Sequence, residues 1–152
     1  MNTLQFQWAT RKSQVNRHER HYLDYIIAGQ SLLEKLGLAH LDKISPFGWQ
    51  TDKAYQWERL NDLALSQQAK QKPQRAILYV CPECGDIDCG VITAQVLDLG
   101  NRIVWKDFGY ETSYAGLIET YPTAEPIELD REPYFKALLS LGHRLMGRYP
   151  KS

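Results

Sequence analysis

Charge of one sign is missing from this 152-residue sequence: eighteen basic and eighteen acidic side chains cancel. Without a net positive field there is no electrostatic hold on a polyanion, which argues against a nucleic-acid partner. Long apolar runs are missing too, and no stretch approaches the roughly eighteen residues that span a bilayer as a helix. The opening Met1-Asn2-Thr3-Leu4-Gln5-Phe6-Gln7-Trp8 has neither the charged start nor the apolar stretch of a secretory signal. The protein is therefore expected in the cytoplasm, with no membrane partner. Cysteine is scarce: the three are confined to positions 81–89, an odd number that argues against a disulfide framework and for reduced thiols or a metal site. No Gly-rich phosphate loop, nucleophile elbow or metalloprotease helix occurs, and no Ser stands with His and an acid in a recognisable motif. No catalytic residue is assigned, and binding is expected rather than catalysis.

What is present fits one domain over residues 1–152, long enough to bury roughly two thirds of the surface of its unfolded chain. Leu4, Phe6 and Trp8 alternate with Gln5 and Gln7, the period of a half-buried strand. Leu23, Ile26, Ile27, Leu33 and Leu36 recur at helical spacing, which predicts a helix over 17–36 closed by Gly37. The loop Ser45-Pro46-Phe47-Gly48-Trp49 carries two large rings that should fold down onto the body. Thr51 can cap a second helix reaching about Leu65, with Ala54, Trp57, Leu60 and Leu63 facing inward. A polar linker over 67–74 follows. Ala76 to Val80 is continuously apolar, as in a central strand buried on both faces. Val91 to Leu97 and Arg102 to Phe108 flank a turn at Gly100-Asn101, so three strands should form a meander. Residues 109–126 read as a long Tyr-rich loop. Asp130 can cap a final helix through Met146, with Tyr134, Leu138, Leu141 and Leu145 inward. The predicted fold is α+β, an antiparallel meander of three to four strands packed against about three helices.

The chemically pointed segment is Cys81-Pro82-Glu83-Cys84-Gly85-Asp86-Ile87-Asp88-Cys89-Gly90. Joining two strands, it should bring Cys81, Cys84 and Cys89 together, and three thiolates can share a soft cation such as zinc. Cys-Pro-x-Cys-Gly resembles one knuckle of a zinc ribbon, but a second knuckle is missing and so is a fourth ligand, for which Asp86, Asp88, His18, His21, His40 and His143 are the candidates. The same segment also reads as a tight hairpin in which Pro and Gly set the turn and the thiols pack as weak hydrophobes. Dithiol catalysis needs Cys-x-x-Cys to open a helix whose dipole activates the first thiol, and here a strand follows. His18 and His21 would share one face of the predicted helix and with Asp24 could hold a metal or serve as acid and base, but mixed charge at a helix start reads as a solvated surface, and Arg17 and Arg20 would oppose a cation.

Asp107, Tyr110, Glu111, Tyr114, Glu125 and Glu128 combine carboxylates with rings near the end of the third strand. Such a face suits a basic protein partner, because the field steers encounter while the rings supply desolvated contact. The competing reading puts Phe108 and Tyr110 in the core and leaves the acids as ordinary surface charge.

The stretch Leu78 to Val91, with Ile103-Val104-Trp105-Lys106-Asp107-Phe108-Gly109-Tyr110-Glu111, resembles a family of small uncharacterised bacterial proteins often labelled oxidoreductase. Ile44 to Trp49 and Tyr22-Leu23-Asp24 fit the same pattern. Proteins of this size and character also resemble immunity proteins of contact-dependent growth inhibition and other toxin systems. That resemblance implies a cytoplasmic protein that neutralises a toxin, such as a nuclease domain, by binding it. The alternative is a small thiol- or zinc-dependent protein working through Cys81, Cys84 and Cys89.

Overall fold

The computed structural model describes residues 1–65, 75–85 and 87–146. The alternating apolar residues at the start form β1 (Leu4–Arg11), with Leu4 buried and Phe6 packed on the core. β1 runs antiparallel to β2 (Arg20–Ile27), Leu4 opposite Ile27 and Arg11 opposite Arg20, and β2 pairs with the short β3 (Gln30–Ser31). The helix expected over 17–36 is therefore mostly strand. Apolar residues at 23, 26 and 27 fit either period, but Tyr22, Tyr25, Ile26 and Ile27 are the aromatic and β-branched types that fit a pleated surface. The deciding local feature is Ala28-Gly29, whose φ values of 54° and 76° make the two-residue turn that returns a hairpin on itself. Only α1 (Leu32–Lys35) is helical there, and it is followed as expected by a left-handed Gly37.

The loop from Ser45 to Trp49 does fold down onto the body: Ser45 and Phe47 are fully buried, and the Ser45 hydroxyl donates to the Leu23 carbonyl at 2.5 Å. The second helix, α2 (Lys53–Ala64), is capped by Asp52 rather than Thr51, its carboxylate accepting the Tyr55 N–H. Its inner stripe is Gln56, Leu60 and Leu63, while Ala54 and Trp57 are exposed. A polar residue takes the inward slot because the Gln56 amide serves the loop before it, accepting from the Gly48 N–H at 3.0 Å and donating to the Gln50 carbonyl at 2.5 Å. The polar linker at 67–74 lies outside the described residues.

β4 (Arg75–Tyr79), β5 (Val91–Asp98), β6 (Arg102–Thr112) and β7 (Gly116–Thr120) form an antiparallel meander in that order. β8 (Ile127–Asp130) pairs with the first part of β6, Arg102 opposite Asp130, so β7 and β8 lie end to end along the edge of β6 away from β5. Two expectations fail here. β4 is an edge strand, not a central one, and it is nonetheless buried because α2 packs against it and Val80 exchanges two backbone hydrogen bonds with Ile44. The loop expected over 109–126 contains the end of β6 and all of β7. Leu117-Ile118-Glu119-Thr120 is a run of strand formers, but every residue of β7 is exposed, so no alternation marks it.

α3 (Arg131–Leu145) follows Asp130 and buries the predicted stripe Tyr134, Leu138, Leu141 and Leu145. Asp130 makes no side-chain cap bond; it closes β8, its N–H donating to the Asn2 carbonyl at 2.8 Å. The fold is α+β, as the sequence indicates, and no helix among the described residues is long and apolar enough to cross a membrane. The two sheets share one aromatic core. The Tyr25 ring meets Phe47, Tyr79 and Trp105 edge to face at 5.3–6.2 Å, and its hydroxyl donates to the Leu78 carbonyl at 2.7 Å. These tilted contacts add to the burial of large rings. The polar ends are satisfied inside: Trp105 Nε1 donates to the Tyr134 hydroxyl at 3.2 Å, which donates to the Leu63 carbonyl at 2.6 Å.

Candidate metal centre and partner face

Cys81 leaves β4 just after the Val80–Ile44 bridge, and the chain turns at once. The Gly85 N–H donates to the Cys81 carbonyl at 2.8 Å, and Gly85 holds φ at 67°, a conformation open to glycine at no steric cost. A single 3-10 turn at Ile87–Cys89 then returns the chain, and Gly90, with φ at 87°, admits it to β5. Gly90 lies against the Tyr110 ring, so a side chain there would collide with it. Through these turns the ligand atoms of Cys81, Cys84 and Cys89 all come within 4.8 Å of one another. Cys84 and Cys89 are exposed, with sulfurs 2.6 Å apart, and Cys81 is half-buried.

The loop is clamped from both sides. Glu83, which lies between Pro82 and Cys84, accepts from Arg11 at 2.7 Å and from His18 through its backbone N–H at 3.1 Å; His18 Nδ1 lies 2.5 Å from the same carboxylate. Arg20 Nε donates to the Pro82 carbonyl at 2.8 Å while its guanidinium covers the Trp49 ring. On the other side Lys43 Nζ donates to the carbonyls of Cys89 and Gly90 at 3.1 and 3.0 Å, the Tyr110 hydroxyl donates to Cys89 O at 3.2 Å, and Ser113 bonds Asp88. Three cationic side chains thus frame a loop whose sulfurs would be anionic.

The thiols are not equivalent. Burial pushes the Cys81 thiol up, but backbone donors at Cys84 and Glu83 and the neighbouring thiols outweigh it, and its pKa falls below the ordinary value. The Cys89 thiol is pushed up to about 12, first by its hydrogen bond with Cys84 and then by desolvation and the charge of the other two sulfurs. The shifts of Cys81 and Cys89 run in opposite directions because each thiol feels the other and Cys84 between them. Glu83 is held down at about 2, chiefly by His18 and then by Arg11.

Three thiolates on one ion at about 2.3 Å sit roughly 3.8 Å apart. The observed spacing fits after a small rotation that parts Cys84 from Cys89. No histidine, aspartate or glutamate among the described residues joins the three sulfurs. His18 is occupied by Glu83, His21 lies beside Glu19 at 3.0 Å, and Asp88 is bonded to Ser113; Asp86 lies outside the described residues. His18 and His21 do not share a helical face, because His18 precedes β2 and His21 lies within it. Cys-x-x-Cys does not open a helix either: Gly85 follows Cys84, and the turn at Ile87–Cys89 is three residues long.

No family model, curated protein or solved structure matches the chain.

The six residues expected on the partner face stand in different settings. Tyr110 is half-buried and belongs to the frame of the cysteine loop, packing under Lys43 at 5.5 Å. Glu111 is paired with Arg75 at 2.9 Å, and Glu128 with Arg102 at 2.9 Å. Phe108 is core. Asp107, Tyr114 and Glu125 are exposed, and Asp107 holds a left-handed φ of 54°. Sequence reasoning missed Leu117 and Ile118, which stand exposed on β7 between Tyr114 and Glu119. A strand with neither face buried leaves no periodic signal. Asp24, weighed from sequence as a partner of His18 and His21, is instead buried and lines a cleft of about 470 Å³ with Tyr22, Ser31, Glu34 and Lys43. Burial raises the Asp24 carboxyl, and donors at Tyr79, Ser31 and Tyr25 partly offset it. The signal there was a lone acid inside an apolar strand.

Proposed function

We propose that the chain is a zinc-binding protein whose ion is held by Cys81, Cys84 and Cys89 and fixes the loop between β4 and β5. The observation that carries this reading is the approach of three sulfurs to within 4.8 Å in a loop framed by Arg11, Arg20 and Lys43. Thiolate ligands suit a borderline-soft cation, and an anionic three-sulfur site is favoured by surrounding positive charge. The ion would act as a clasp: the loop it closes is bonded to β1 through Arg11 and to β6 through Tyr110, so ligation ties the two sheets at one end. Metal analysis of the purified protein tests this. About one zinc per chain is expected, falling to background in a variant with all three cysteines changed to serine. Metal-free protein that melts at the same temperature with and without added zinc would overturn it.

A second reading is favoured by a different observation. Tyr114, Leu117 and Ile118 are exposed within five residues, and Asp107, Glu119 and Glu125 on β6, β7 and the chain after it have no ion-pair partner among the described residues. Exposed apolar side chains with unpaired acids on the same part of the chain support an immunity-type protein that occludes a basic toxin domain. Co-expression with a candidate toxin nuclease should give growth protection and a stable complex. Failure of both would sink this reading and leave the metal reading untouched.

A further inference from the structure

We infer that β7 is a docking edge that accepts an extended, lysine- or arginine-rich segment of a partner protein as an added strand. This deepens the partner-binding reading and rests on it. β7 ends the meander: it pairs with β6 along one side, and no strand among the described residues pairs with the other. An edge strand exposes a row of backbone donors and acceptors, and folded proteins guard it with lysine, proline, an inward charge, a covering element, short length or a bulge; β7 has the last two, five residues with one bulge. Gly116-Leu117-Ile118-Glu119-Thr120 contains neither lysine nor proline, and all five residues are exposed.

Side chains on the same edge indicate the kind of strand it would take. Ile118 is 54 % exposed, Leu117 45 % and Tyr114, in the turn before the strand, 79 %, so large apolar groups stand open to solvent along this edge. The strand itself carries one charge, the carboxylate of Glu119, and the chain beyond its end adds Glu125, while Asp107 stands on the neighbouring β6. Asp107, Glu119 and Glu125 have no cationic partner among the described residues, and Glu111 is neutralised by Arg75, leaving Lys106 as the cation of this stretch. A strand alternating basic and small or β-branched residues would bond to the edge through its backbone, set its β-branched residues beside exposed Leu117 or Ile118 and bring its cations to Glu119. The bulge at Ile118, between the pairs Tyr110–Glu119 and Glu111–Leu117, keeps the ladder short, so charge and side-chain fit set the selectivity.

A ten-residue N-acetylated peptide alternating Lys and Thr is the probe, with its Glu and Thr counterpart as control, titrated against the full chain at low salt. The Lys peptide should bind at least about tenfold more tightly than the Glu peptide, and Glu119→Lys with Glu125→Lys should abolish that preference. Amide exchange across 116–120 should slow when the Lys peptide is bound, and Ile118→Pro, checked for an unchanged circular dichroism spectrum, should weaken binding at least about tenfold. Equal binding of the two peptides, indifference to the paired charge reversal, or unchanged exchange over β7 would overturn the inference. Protection of β7 by the peptide without any toxin neutralisation would remove the immunity reading and leave the strand site standing. Neutralisation by a protein carrying Ile118→Pro would do the reverse.

Discussion

The guanidinium of Arg11 lies 2.7 Å from the carboxylate of Glu83, joining the last residue of the first strand to the centre of the cysteine loop. Arg11 also meets Asp42 at 2.7 Å and is itself buried, whereas both acids keep one side in water. The ion cluster is consequently a positional device more than a large source of stability.

Its pH dependence has a definite sign. Glu83 is held at about 2, and Asp42 is lowered by its bond from Arg11, so both titrate below their unfolded values. Their contribution is complete above the unfolded carboxyl range, near pH 4 to 4.5, and is lost as pH falls toward 2. Arg11→Met should lower the melting temperature by about 3 °C at pH 7. The gap between variant and wild type should close on acidification below pH 4, in melts followed by circular dichroism. A gap that widened in acid would contradict the assignment.

The inequality of the three thiols can be read by alkylation of metal-free protein at pH 8. Cys89, whose thiol is pushed up to about 12, should be labelled more slowly than Cys81, whose pKa is lowered, despite being the more exposed of the two. Peptide mapping after partial reaction gives the order, and added zinc should protect all three. Faster labelling of Cys89 would mean that exposure, not ionisation, governs the cluster.

Gly90 combines a φ of 87° with the Tyr110 ring at its back. Gly90→Ala must strain the backbone and displace a ring whose hydroxyl holds the Cys89 carbonyl. A loss of about 2 kcal/mol or more in urea unfolding is expected, together with weaker metal retention. Gly100→Ala is the comparison: its φ is 89°, but nothing lies within 4 Å of the added carbon. It should cost only the backbone strain, about 1 kcal/mol.

Tyr134→Phe removes one oxygen and strands two partners in the core, the Trp105 indole N–H and the Leu63 carbonyl. A loss of about 1–3 kcal/mol follows, measurable by denaturant titration, without any change in metal content. The contrast with Gly90→Ala separates damage to the shared core from damage to the cysteine loop.

Local chemistry was legible where one face of an element is buried and the other wet. β1, the stripe of α3, the turn at Gly100 and the convergence of three cysteines between two strands all followed from residue order. The meander and the α+β class followed with them. Tertiary structure decided the rest. Residues 20–27 are strand because β1 lies beside them and Ala28-Gly29 turns the chain, against the helix that their apolar spacing predicted. β7 is a strand because β6 pairs with it, although neither of its faces is buried. The approach of Arg11 and His18 to Glu83 depends on how the first hairpin folds across the loop. Short-range rules read periodicity against a single buried side. Elements buried on both faces or on neither carry no such contrast, and only their neighbours settle them.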